Sequence, residues 1–82
     1  MQTHEVFDVI VRCTREVIPE LDRYEFQPGD SLQDLGANSV DRAEIVTLVL
    51  ESLSLRIPRV ETFGPKTVGE LATLLHEKML CS

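Results

Sequence analysis

Pro19, Pro28, Pro58 and Pro65, together with Gly29, Gly36 and Gly64, divide this 82-residue chain into a few long uninterrupted stretches. A proline excludes helix at the residue before it, so the stretches free of both residue types are the places where long helices can form. Within them apolar residues recur at three- and four-residue spacing, the period of an amphipathic helix. The chain therefore reads as all-α, with loops wherever the breakers cluster.

The first helix is predicted from about Thr3, as its N-cap, to Ile18, where Pro19 stops it. Val6, Ile10, Cys13 and Val17 share one face, and Glu5, Asp8, Arg12, Arg15 and Glu16 the other. Residues 20–37 form a long loop with a turn at Pro28-Gly29, pinned to the core by Leu21, Tyr24, Phe26, Leu32 and Leu35. Loops of that length in a compact domain tend to be functional. The second helix is expected to begin after Asn38 and run to about Leu53. Ala43, Val46, Val49, Leu50 and Leu53 face inward, while Asp41, Glu44, Leu48 and Glu51 lie on another face. Pro58 bars continuation, and a short helical turn over Arg59 to Phe63 closes at Gly64-Pro65. Thr67-Val68-Gly69-Glu70 reads as a capping box opening a last helix that buries Val68, Leu71, Leu75 and Met79. The expected architecture is a small antiparallel bundle of three main helices plus one short helix.

Residues 1–82 suffice for one domain, which would bury roughly 60–65% of its unfolded surface and leave little interior for a secluded catalytic cavity. Function is expected at the surface. The formal charge of −6 repels nucleic acid and anionic membranes and favours basic patches on protein partners. Cys13 reads as a small core residue and Cys81 as a mobile thiol near the chain end, which argues against a disulfide framework and for a reducing compartment. His4, Glu5 and Asp8 interrupt any signal-peptide core, so the cytoplasm is the expected location. His4 and His76 stand alone, no cluster has metal-ligand spacing, and neither histidine is placed to activate a serine. Neither a metal site nor an enzyme is expected.

Ser39 is the residue that stands out. In the run Leu35-Gly36-Ala37-Asn38-Ser39-Val40-Asp41 it follows a turn-rich loop and opens the second helix, where unpaired N–H groups and the positive dipole end favour an anion. Asn38 can cap that helix, and Asp41 adds favourable charge in its first turn. A phosphodiester on the Ser39 hydroxyl would be well placed.

Leu35-Gly36-Ala37-Asn38-Ser39-Val40 resembles the hallmark of the acyl carrier protein family, an Asp-Ser-Leu tripeptide preceded by Leu-Gly at the start of the second helix. The helix order, the long first loop and the short third helix extend the resemblance over the whole chain. It implies that Ser39 is the attachment point of covalent 4′-phosphopantetheine, on whose thiol acyl groups ride as thioesters. Asp30-Ser31-Leu32 copies the tripeptide literally, but Gly36 follows within five residues, so Ser31 reads as a turn residue. Asn38 replaces the usual aspartate and keeps the cap while removing a charge; Val40 replaces leucine and stays apolar.

The wider run from Gly36 to Ile45, with Leu50-Glu51-Ser52-Leu53-Ser54-Leu55 and Ile57-Pro58, is similar to the stand-alone donor carriers of β-branching cassettes in polyketide synthesis. That likeness implies a carrier that presents a malonyl-derived acetyl thioester to a hydroxymethylglutaryl synthase homologue. It also implies a phosphopantetheinyl transferase, an acyltransferase and a decarboxylating ketosynthase as further partners, and a monomeric state. Asn38, Val40, Asp41, Arg42, Glu44, Leu48 and Glu51 are the expected recognition residues: the acids steer basic surfaces, the apolar pair orients, and Arg42 discriminates among partners. Two other readings stay open: a carrier of fatty acid or nonribosomal peptide synthesis, and an unmodified helical interaction domain.

Overall fold

The computed structural model describes residues 2–81, except for the side chains of Arg59 and Cys81, so the expectation about the Cys81 thiol lies outside the described residues. Three α-helices make the frame: α1 (Thr3–Val17), α2 (Ser39–Leu53) and α3 (Val68–Cys81), with α1 packed against both others. Two 3₁₀ helices, Pro19–Leu21 and Arg59–Phe63, lie in the connections, and no strand occurs among the described residues. The fold is all-α as expected. Its short helix is the 3₁₀ turn Arg59–Phe63, so a bundle of four helices describes it only loosely.

The core draws on all three helices and the connections. Val6, Ile10 and Cys13 of α1 meet Ile45, Val49 and Leu53 of α2 and Val68, Leu71, Ala72 and Leu75 of α3, with Leu32, Ala37 and Leu55 filling in from the loops. Each fully buried Val, Ile or Leu contributes about 1.5–3 kcal/mol relative to exposure. Thr14 is fully buried as well, and its hydroxyl donates to the Ile10 carbonyl at 2.7 Å, which removes the cost of an unpaired polar group. Burial also pushes the Cys13 thiol above its ordinary pKa.

Two details depart from the sequence reading. Gln2, not Thr3, caps α1: its carbonyl accepts the Glu5 and Val6 N–H groups, and its own N–H donates to Glu5 Oε1 at 2.9 Å. The acid three positions on sets this register, because a side chain at the third helical residue reaches back to the cap. Ile45, placed on neither face of the second helix, is fully buried, whereas Ala43 and Leu50 are only half-buried. The buried stripe runs 45, 46, 49 and 53, rotated from the expected one because the shared core takes the larger isoleucine rather than Ala43. α2 ends at Leu53 as expected: Ser54 turns into the left-handed region (φ 53°), with the Leu55 N–H closing back on the Leu50 carbonyl at 2.9 Å.

The long loop is held at both ends. Arg15 of α1 donates to the Tyr24 carbonyl at 2.9 Å and lies 5.5 Å over the Phe26 ring, which Tyr24 meets edge-on. Tyr24 Oη in turn donates to Asp30 Oδ2 at 2.9 Å. Further along, the Val68 and Gly69 N–H groups donate to the carbonyls of Asp30 and Pro28, each at 2.8 Å. A Cβ on Gly69 would lie 2.8 Å from both Cβ and O of Pro28, so only glycine permits this approach. The turn that follows ends at Gly36, whose φ of +99° suits glycine, with the Ala37 N–H bonded to the Leu32 carbonyl. This anchored loop delivers Asn38 and Ser39 to the start of α2.

Candidate functional site

At the N-terminus of α2 the chain changes from extended backbone at Asn38 (φ −79°, ψ −178°) to helix at Ser39. Asn38 Oδ1 accepts the Asp41 N–H at 2.8 Å, and the Asn38 carbonyl accepts the first helical N–H, that of Arg42, at 2.9 Å. The N–H groups of Ser39 and Val40 precede the first intrahelical bond and have no carbonyl to meet. They add to the dipole's positive end. Ser39 itself is exposed, and its hydroxyl faces no base: its polar neighbour is the Arg42 guanidinium, whose Nη2 donates to Ser39 Oγ at 3.3 Å. Nη1 of the same side chain donates to Gln33 Oε1 at 3.4 Å, across from the loop turn.

This arrangement suits a tether rather than a nucleophilic catalyst. An accessible hydroxyl at a helix start with uncommitted N–H groups, and a guanidinium beside it, fit a group that arrives with a phosphodiester charge. Among the described residues no group of three His, Cys, Asp or Glu side chains could hold a metal ion.

The structure brings Asn38, Ser39, Val40, Asp41 and Arg42 together in one helical turn and leaves Val40 73% exposed. Glu44 is exposed one turn further on. Leu48 is half-buried and packs on the core, so it offers only part of its surface. Glu51 is exposed but lies twelve residues along α2 from Ser39, about 18 Å at the helical rise. There it borders a shallow groove with Thr47, Leu50, Ser54, Leu55 and Arg56. Ser31, the literal tripeptide serine, is half-buried in the loop and its carbonyl accepts the Leu35 N–H; it opens no helix.

Three features escaped the sequence reading. Gln33 had no signal, because its role depends on a turn geometry that brings it beside α2. The Arg42 contact with Ser39 could have been read from their three-residue spacing on a helix. Val60 and Phe63 are 68% and 66% exposed on the 3₁₀ helix that packs against α2, adding apolar surface that their spacing alone did not place.

The family described as PP-binding, phosphopantetheine attachment site, matches residues 8–75. The chain is 53% identical over 79 residues to the polyketide biosynthesis acyl-carrier-protein AcpK of Bacillus subtilis, covering 96% of each. It is 37% identical over 46 residues to an acyl carrier protein of Clostridium perfringens, covering 56% of this chain and 60% of that protein. Among solved structures, it is similar to a chain in the crystal structure of the curacin biosynthetic pathway HMG synthase in complex with acetyl donor-ACP. The TM-score is 0.88 and the identity 49%, over 92% of this chain and 96% of the other.

Proposed function

Because the chain belongs to the acyl carrier proteins, the family of the phosphopantetheine attachment site, we propose that Ser39 Oγ is the oxygen that bears the prosthetic arm. The protein is a carrier of polyketide biosynthesis rather than an enzyme, and its cofactor is covalent 4′-phosphopantetheine. When bound, this group supplies a terminal thiol on which an acyl unit is held as a thioester. The observation that carries the assignment to Ser39 is its exposed hydroxyl in the first turn of α2, where the leading backbone N–H groups are open, beside Arg42. The Asn38 cap keeps that turn wound while the hydroxyl stays clear of it.

The acyl unit is an acetyl group derived from malonyl, and its acceptor is a hydroxymethylglutaryl synthase homologue that uses it for β-branching. Whole-length likeness to a polyketide carrier and to a chain solved with such a synthase supports this reading, whereas the likeness to the acyl carrier protein of Clostridium perfringens spans little more than half the chain. A phosphopantetheinyl transferase, an acyltransferase and a decarboxylating ketosynthase are the other partners, met by a cytoplasmic monomer in which residues 1–82 form one carrier domain. Among the described residues no helix is long and apolar enough to cross a membrane.

Partner choice falls to α2 and the 3₁₀ helix Arg59–Phe63 packed against it. Asp41 and Glu44 steer basic surfaces, Val40 with Val60 and Phe63 supplies apolar contact, and Asn38, Arg42, Leu48 and Glu51 refine the fit. Incubation with coenzyme A and a broad-specificity transferase, followed by intact mass, tests the attachment. The wild type and Ser31→Ala should gain the phosphopantetheinyl mass and Ser39→Ala should not; an adduct that survives Ser39→Ala sinks the site. Acetyl transfer from the loaded protein to the synthase homologue, and its absence with a fatty acid ketosynthase, tests the pathway.

A further inference from the structure

Ser39 Oγ is already engaged before anything is attached to it. Arg42, three residues along the same helical face, reaches back with Nη2 to that oxygen at 3.3 Å, while Nη1 is held by Gln33 Oε1 at 3.4 Å. A guanidinium presents its donors in a rigid planar fork, so fixing one nitrogen on Gln33 restricts the direction of the other. Gln33 is itself placed by the turn closed through Gly36 and by the burial of its neighbour Leu32.

Resting on the reading that Ser39 bears the arm, we propose that Arg42 is a positioning residue whose guanidinium, steadied by Gln33, pairs with the phosphodiester at the arm's root and sets the direction in which the arm leaves α2. The phosphorus is bonded to the very oxygen that Arg42 touches, so the new negative charge arrives beside an existing cation without movement of the helix. Hydrogen bonds from arginine to phosphate oxygens are charge-assisted, and the fork adds a directional preference that a lysine point charge lacks. The pairing also answers a local problem. Asp41 and Glu44 lie on the same first turns of α2 and repel a phosphodiester; Arg42 is the cation between them in sequence. An arm held at its root starts each delivery from a narrower set of orientations, which lowers the ordering cost of entering a partner's tunnel.

The test uses the loaded protein as wild type, Arg42→Ala, Arg42→Lys and Gln33→Ala, with fragmentation mass spectrometry first locating the arm in each. The readout is the ³¹P resonance of the phosphodiester, compared with that of a short unstructured peptide carrying the same arm. In the wild type the resonance should be displaced from the peptide value, and the displacement should shrink as salt is raised. Arg42→Ala should lose most of it, Arg42→Lys should keep only part, and Gln33→Ala should lie between wild type and Arg42→Ala. A resonance that is the same in wild type and Arg42→Ala overturns the pairing, as does full retention by Arg42→Lys, because charge alone would then suffice. Should Arg42→Ala fail to fold by circular dichroism, Arg42→Lys and Gln33→Ala decide the matter by the same criteria. An arm located anywhere but Ser39 overturns the attachment itself, an outcome that the fragmentation reports separately from the resonance.

Discussion

The starts of α2 and α3 are built to one plan and put to opposite uses. Asn38 and Thr67 each cap the N–H three residues ahead, at 2.8 Å and 3.1 Å, and an acid stands at that position in both, Asp41 and Glu70. At α3 the next donors are consumed: Val68 and Gly69 give their N–H groups to the loop carbonyls of Asp30 and Pro28, and Glu70 folds back on the N–H groups of Lys66 and Thr67. The corresponding residues of α2, Ser39 and Val40, are exposed and keep their N–H groups open. A capped helix start is thus a joint where a loop docks on it, and keeps its backbone donors open where none does. Capping chemistry is common to both ends, and the covering loop makes the difference.

The comparison is broken most sharply by Ser39→Ala, which should abolish loading by a transferase while shifting unfolding free energy by no more than about 0.5 kcal/mol, as for an exposed site. Intact mass and urea denaturation read the two together, and partial loading or a large loss of stability would mean that α2 is not the open end. Next comes a matched pair at the second helical position. Gly69→Ala drives a methyl into Pro28 and should cost about 1–3 kcal/mol as an overpacking change, whereas Val40→Ala should stay within about 0.5 kcal/mol. Equal midpoints in urea for these two variants would erase the distinction between joint and open end.

Removing the caps sharpens the same contrast. Thr67→Ala and Asn38→Ala should each cost about 0.5–2 kcal/mol in thermal or urea unfolding, with Thr67→Ala the dearer because its loss also loosens the docked loop. The smallest effect is expected from Asn38→Asp. It keeps the cap and adds a charge favourable to the dipole, stabilising the unmodified protein by about 0.3–1 kcal/mol. That gain should shrink once a phosphodiester stands beside it, so unfolding of unmodified and loaded variants compares the two states directly.

Much of this protein was legible along the chain. Breakers and period located the three helices; Pro19 marked the end of α1, and Thr67 with Glu70 marked the start of α3 to the residue. Ser39 at the head of α2 was legible too, because a capping residue, an acid three ahead and a long breaker-free run are all local signals. What misled was equally local in form. Thr3 is a good cap by type, but Glu5 fixes the register one residue earlier; α2 does end at Leu53 as expected, though through a left-handed turn at Ser54 that residue type does not announce.

The sequence by itself therefore determined which segments coil, where each helix is capped and which hydroxyl stands at a helix start, since these depend on neighbours within about one turn of chain. The tertiary structure decided which helix start stays open, that Ile45 rather than Ala43 enters the core, and that Gln33 meets Arg42 beside Ser39. Those outcomes depend on how a loop of many residues packs back across the bundle. Its course is set by burial of Phe26 and Leu32 and by the close approach of Pro28 to Gly69, which join residues far apart along the chain.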